Sequence, residues 1–224
     1  MVSTETVVSR MAHAGARFAK PIEDACIEWG IQSEKDKAHH IGQLAHESAN
    51  FTTVTESLNY AADRLVPFFG AHRITAAQAA RFGRTDTRPA DQPAIANIVY
   101  GGTWGKKNLG NTEPDDGWRF RGRALIQLTG RDNYRRCSRA LFGDERLLRE
   151  PELLADPVVA ARAAGWYWKD KGLSPWANLD DVLAVSRGVN LGNPRSDKTP
   201  KGLEDRAAKT TKAKRLFAEL RGAA

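Results

Sequence analysis

The chain has 224 residues, 41% of them hydrophobic and 27% charged, which is the composition of a globular protein able to bury one good core, with room for a smaller lobe. No run approaches the ~18 apolar residues of a membrane span, and Cys26 and Cys137 are too few and too far apart for a disulfide framework or a zinc site. The formal charge of +7 and pI near 9.6 suit a polyanionic partner such as nucleic acid, anionic lipid or an acidic bacterial envelope, but no helix-turn-helix pattern, RNA-binding signature or zinc-finger spacing supports nucleic acid.

The elements read as mostly helical. Ser3 can cap a first helix carrying Val7, Val8, Met11, Ala12 and Phe18 at a 3.6-residue period. Pro21 suits the first turn of a second helix with Ile22, Ala25, Cys26 and Trp29, closed by Gly30. Ser33 can cap a third, whose stripe is Ala38, Ile41, Leu44, Ala45 and Ser48, with Glu47 at the edge of that stripe, a position where a carboxyl could be half desolvated. The β-branched run Thr52-Thr53-Val54-Thr55 predicts extended structure from Phe51 to Asn59, as a hairpin or small sheet. A segment rich in Ala and Arg follows. From about Thr85 to Gly117 the chain is dense in Gly, Pro, Asp and Asn and reads as loops, broken by a short helix from Pro93 to Tyr100. Residues 61–115 are expected to form a smaller lobe or insertion.

The second half returns to helices. Tyr134, Cys137 and Leu141 mark one that ends at Gly143. Asp156-Pro157 opens another that runs through Trp166 to about Asp170, with Gly172 beyond it. Leu179, Val182, Leu183 and Ser186 mark a third. Leu203, Ala207, Thr211, Phe217 and Leu220 mark the last. The Trp166-Tyr167-Trp168 cluster, at helical spacing, reads as core rather than as a sugar platform, whereas Trp118 suits either role. Both cysteines read as small buried hydrophobes.

Two polar segments carry the chemistry. The first, Ala45-His46-Glu47-Ser48-Ala49-Asn50-Phe51, continues to Glu56 and Asn59-Tyr60. It places two carboxyls on different elements, and two carboxyls facing one cleft are what glycosidic hydrolysis needs: one protonated, one ionised. The bland alternatives are a solvated helix end for Glu47 and a solvent-facing strand residue for Glu56. A zinc-protease helix is excluded because Asn50 stands where a second histidine would be required, and His39, His40 and His46 form no ligand pattern. The second segment runs from Asp116-Gly117-Trp118-Arg119-Phe120-Arg121-Gly122-Arg123 through Gln127, Thr129 and Gly130 to Asn133-Tyr134. Thr129 can cap the helix that follows, and Arg119, Arg121 and Arg123 can share one face of an extended strand.

Together with Ala96-Asn97-Ile98-Val99-Tyr100-Gly101-Gly102, these segments resemble the family 19 glycoside hydrolases, which comprise plant-type chitinases and bacterial or phage cell-wall lysins. The resemblance spans about Ala38 to Arg206 and is nearer to the phage endolysins. It implies a mainly α, lysozyme-like (α+β) fold over residues 1–224 as a single catalytic domain. In that fold a helical body, a small β-hairpin and a smaller helical lobe flank a cleft. It implies Glu47 as general acid, Glu56 as general base in an inverting reaction with the carboxyls roughly 6.5–9.5 Å apart, and Thr129 as a hydroxyl holding the attacking water. Gln127, Asn133, Tyr134, Asn59, Tyr60 and Asn190 would bind substrate, and Arg121 and Arg206 would support the acid. Tyr134 suits the core slightly better than the cleft. The element around Asn190 departs from the family pattern, with Leu191 in place of a glycine and Pro194 in place of an acidic residue.

The expected activity is therefore hydrolysis of the β-1,4 glycan strands of bacterial peptidoglycan, without metal or organic cofactor, by a monomer. Chitin is the alternative substrate, and a non-catalytic saccharide-binding relative is the alternative of another class. The N-terminus lacks the basic and apolar regions of a secretory signal. This leads to the expectation of synthesis in a host bacterial cytoplasm and action on the wall once the membrane is opened.

Overall fold

The computed structural model describes residues 2–223. Helices α1 (Thr4–Met11), α2 (Ala16–Trp29) and α3 (Glu34–Glu47) come first in the chain. Next are α4 (Ala62–Phe69), α5 (Ala76–Phe82), α6 (Gln92–Val99), α7 (Gly102–Leu109), α8 (Asp116–Arg119), α9 (Arg131–Phe142) and α10 (Arg146–Arg149). Last are α11 (Pro157–Asp170), α12 (Ser174–Asn178), α13 (Val182–Leu191) and α14 (Leu203–Gly222). The chain divides into two compact units. The first holds the residues up to Val54, Ala124–Gln127 and those from Leu153 onward; the second holds Thr55–Arg123 and Leu128–Glu152. No helix among the described residues is long and apolar enough to cross a membrane.

In the first unit α3 packs along α14, and α2 packs against α11 and α1. The expected caps are present. The Ser3 and Ser33 hydroxyls accept from the N–H groups of Thr6 and Asp36, and the Asp156 carboxylate accepts from those of Val158 and Val159. Gly30 ends α2 in the left-handed conformation. The first boundary falls elsewhere than the sequence suggests. Helix α1 stops at Met11, and α2 starts at Ala16 and carries Pro21 in its interior rather than in its first turn. The break lies at Gly15, where a Cβ would stand 2.6 Å from the Val8 carbonyl oxygen, so only glycine permits the close return of the chain. Trp168 is buried and donates from Nε1 to Asp36 Oδ1 at 2.9 Å, and Trp166 is also buried, as their helical spacing predicts. Cys26 and Cys137 are buried and free.

The second unit is built around Leu58, Leu65, Phe69, Ile74, Ile95 and Val99. The stretch read as loops contains a further helix, α7, which starts on Gly101 and Gly102, residues of low helix propensity. The expected hairpin after α3 does not form. Ala49, Asn50 and Phe51 are all left-handed, and pairing is confined to isolated bridges such as Thr55 with Arg123. Ser48 explains the coil: its hydroxyl donates to the Leu44 carbonyl and accepts from the Phe51 N–H, while the Phe51 ring is buried. Burial of one aromatic ring and local hydroxyl bonds override the β propensity of three threonines.

The three histidines of α3 go separate ways. His39 Nε2 meets Asp180 at 2.7 Å and His46 Nδ1 meets Asp205 at 2.6 Å. His40 is wholly buried, edge-on to Trp168 with ring centroids 4.9 Å apart and no protein hydrogen-bond partner for either nitrogen. Burial pushes its pKa down to about 3. The folded ring thus stays neutral where an unfolded one takes up a proton below its ordinary value near 6.5. The stability contribution is fully present above that value and is lost as pH falls toward the folded value. Urea unfolding is expected to show His40→Leu losing about 2 kcal/mol less stability than wild type between pH 7 and pH 5; parallel curves would place the protonation elsewhere.

Candidate active site

Glu47 is the last residue of α3, with 17% of its side chain exposed, and it forms an ion pair with Nη2 of Arg206, whose own side chain is 1% exposed. The other two guanidinium nitrogens are engaged as well: Nη1 donates to Gln43 Oε1 at 2.7 Å and Nε to the Lys201 carbonyl at 2.9 Å. Gln43, one turn before Glu47 on the same helix face, donates in turn to Ser186 of α13 at 3.2 Å. Gly42 lets α3 approach α14, which carries Arg206, because a Cβ there would lie 2.5 Å from the Thr210 hydroxyl of α14. Asn190 joins the arrangement from behind, its Oδ1 accepting from the N–H of Lys201 at 2.9 Å. Asn190 thus anchors the residue whose carbonyl holds Arg206.

Glu56 belongs to the second unit and is fixed by neutral donors. Its Oε2 accepts from the Gly122 N–H at 3.0 Å and its Oε1 from the Tyr100 hydroxyl at 2.5 Å, while its own N–H donates to the Gly122 carbonyl at 2.8 Å. The peptide that supplies the Gly122 N–H is itself anchored at its other end, where the Tyr134 hydroxyl donates to the Arg121 carbonyl at 2.6 Å. Tyr134 therefore does not line a substrate site as expected. It is fully buried, its hydroxyl also accepts from Arg123 Nη1 at 3.0 Å, and burial raises its pKa, so it is a phenol that orients backbone. Arg123 is 1% exposed and continues the chain of bonds to Glu152 at 2.8 Å.

Thr129 is partly exposed in the second unit, and Gly130 rather than Thr129 occupies the N-cap of α9. Asn133 sits in the first turn of α9 and donates from Nδ2 to the Thr129 carbonyl at 2.8 Å. Gln127 lies in the first unit, in a tight left-handed turn with Ala124, its backbone N–H and its side-chain amide both directed to the Ala124 carbonyl. Asn59 is exposed, whereas Tyr60 packs its ring against Phe68 and Phe69, with centroids 5.0 and 5.3 Å away. Arg121 lies over the Trp118 ring at 3.6 Å and donates to the Trp118 carbonyl at 2.9 Å; burial and the adjacent Arg123 lower its pKa. It therefore supports the Gly122 loop beside Glu56, not the Arg206 network beside Glu47. Arg119 holds the carbonyls of Leu148 and Arg149 at the end of α10, and its neighbours Arg121 and Arg123 have partners of their own.

The chain matches the family described as chitinase class I over residues 105–186. A glycosyl hydrolase family 19 domain-containing protein of Haemophilus influenzae is 32% identical over 193 residues, which span 86% of this chain and 88% of that protein. The chain belongs to glycoside hydrolase family 19. Endochitinase 1 of Theobroma cacao is 40% identical over 68 residues, 30% of this chain and 20% of that protein. Among solved structures, chitinase C from Streptomyces griseus aligns with a TM-score of 0.58 at 19% identity, covering 96% of this chain and 92% of that one. This likeness concerns the fold, which is the lysozyme-like helical fold of family 19, as expected. The protein is a chitinase-like glycoside hydrolase and acts on polysaccharide.

Sequence reasoning gave no role to Gln43, Ser186, Tyr100 or Gly122. Gln43 was legible in part, being four residues before Glu47 on α3. Tyr100 stands in the quoted Ala96 to Gly102 motif, but nothing local connects it with Glu56. Replacing Arg206 with methionine strands the Glu47 carboxylate and the Gln43 and Lys201 carbonyls. Arg206→Met is expected to lower the free energy of urea unfolding by about 3 kcal/mol; a loss under about 1 kcal/mol would show that the network relaxes onto other partners.

Proposed function

We propose that the protein is a peptidoglycan-degrading glycosidase of the endolysin type, cleaving β-1,4 glycan bonds with inversion. In this reading Glu47 gives its proton to the glycosidic oxygen as the bond to C1 breaks. Glu56 takes a proton from the water that attacks C1, and Thr129 helps to hold that water. Gln127 and Asn133 supply amides, which both donate and accept, to an N-acetylated sugar. The observation that carries the reading is the anchoring of each carboxylate by its own set of committed donors: Arg206 for Glu47, Tyr100 and the Gly122 N–H for Glu56. Isolated surface glutamates have no such support. The Arg206 guanidinium stabilises the carboxylate that remains once Glu47 has given up its proton, and the donors on Glu56 fix its orientation without protonating it.

The preference for peptidoglycan is supported by the net charge of +7, which favours an anionic wall over neutral chitin. The altered Asn190 element supports it further: Leu191 and Pro194 change the element, and Asn190 itself is engaged with the Lys201 backbone. Chitin is the second reading, favoured by the chitinase names of the solved neighbours and plant relatives. It uses the same acid and base, because both polymers carry N-acetylglucosamine in β-1,4 linkage.

Digestion of purified peptidoglycan and of chitin, with mass spectrometry of borohydride-reduced products, separates the two. Wild type is expected to release glycan fragments from peptidoglycan, with Glu47→Gln and Glu56→Gln slower by roughly 10²–10⁴-fold. The reduced terminal sugar then distinguishes muramidase from glucosaminidase. Fragments from chitin alone would select the second reading, and undiminished cleavage by either variant would remove that residue from the mechanism.

A further inference from the structure

We propose that Tyr100 is a positioning residue for Glu56, holding its carboxylate at one rotation so that one face of it remains for the attacking water. The inference rests on the assignment of Glu56 as general base. A carboxylate has about four lone-pair positions. Two are filled, one on each oxygen, by the Tyr100 hydroxyl at 2.5 Å and the Gly122 N–H at 3.0 Å. With both oxygens tied to different elements the carboxylate cannot rotate about its Cγ–Cδ bond, and the unfilled positions keep a fixed direction.

Tyr100 is equipped for this task. It follows α6 directly, and its N–H and carbonyl are both bonded, to the Ala96 carbonyl and to Asn111 Nδ2. Arg73 closes the end of α6 by donating to the Val99 carbonyl through Nε at 2.7 Å and Nη2 at 2.5 Å. The same guanidinium lies 5.3 Å from the Tyr100 ring, 5.4 Å from Phe69 and 3.8 Å from Trp104. Gly105 packs against the tyrosine's backbone, since a Cβ there would stand 1.9 Å from the Tyr100 carbonyl oxygen. Backbone and ring are both immobilised, so the hydroxyl is delivered to a fixed point. Burial and the neighbouring Glu56 carboxylate raise the Tyr100 pKa, so the group stays a phenol and acts as a donor. A tyrosine present only to fill the core would need Arg73 and the aromatic rings but no carboxylate.

The test is Tyr100→Phe, which removes one oxygen and keeps the ring, assayed on fluorescently labelled peptidoglycan and on the N-acetylglucosamine hexamer. The expected result is kcat lower by roughly ten- to a hundredfold, with KM within about twofold and an unchanged thermal midpoint. The same substitution in a Glu56→Gln background is expected to change kcat by less than about twofold, because its effect runs through that carboxylate. A kcat near wild type in Tyr100→Phe, with Glu56→Gln inactive, would overturn the positioning role and leave the base assignment intact. An equal loss in both backgrounds would also overturn it. Full activity of Glu56→Gln would remove the base assignment and this inference together.

Discussion

The first unit depends on the burial of one arginine. A guanidinium that is 1% exposed needs a partner for every donor it presents, and unpaired donors at that depth are costly. Arg206 therefore dictates the position of Gln43, of the Lys201 carbonyl and of Glu47, and through them the register of α3 on α14. Gly42 lets the two helices approach closely enough for the bonds to form, and Ser186 and Asn190 complete the shell from α13. A carboxylate at the end of a helix, ordinarily a mobile surface group, is thereby given one position.

Glu56 is held by different chemistry. Its partners are a phenol and a peptide N–H, and both are immobilised from behind: Tyr100 by the Arg73 clamp and its edge-on contact with the Phe69 ring, and the Gly122 peptide by the Tyr134 hydroxyl on the Arg121 carbonyl. Two further arginines of the Arg119-Arg121-Arg123 run support the same loop, one by stacking on Trp118 and one by bridging Tyr134 to Glu152. The alternation of that run is thus a means of packing a turn, and its charge is largely engaged within the protein.

What the sequence revealed was mostly local. Caps at Ser3, Ser33 and Asp156 and the glycine stops at Gly30 and Gly143 involve residues within a few positions of one another, and each reads correctly. The helix stripe of α3 was legible because apolar residues mark it. The inner face of α14 was read in part: Phe217 is buried as expected, but Ala207 and Thr211 stand one position past the buried Arg206 and Thr210, and Ala213 and Leu216 complete the face. A buried arginine at the head of that face defeats an apolar pattern, and Arg206 entered only through the family resemblance. A hairpin was expected after α3 and does not form, because three left-handed residues and a buried Phe51 have no signature in β propensity. Tyr100 and Glu56 are 44 positions apart, beyond the reach of periodicity or spacing. For Tyr134 the sequence left core and substrate site both open, because it shows a tyrosine beside Asn133 and not the depth at which the ring lies.

The central claim of the proposed mechanism is that one anchored carboxyl protonates the glycosidic oxygen while the other, separately anchored, takes a proton from the attacking water. The most direct measurement is proton NMR of the anomeric signals at the newly formed reducing end, recorded in the first minutes of hydrolysis of β-1,4-linked N-acetylglucosamine oligomers or solubilised peptidoglycan strands, before mutarotation. The account predicts that the α-anomer appears first, and that Glu56→Gln suppresses its appearance. First appearance of the β-anomer would show retention, and with it a nucleophilic carboxylate or a substrate-assisted route in place of the general base.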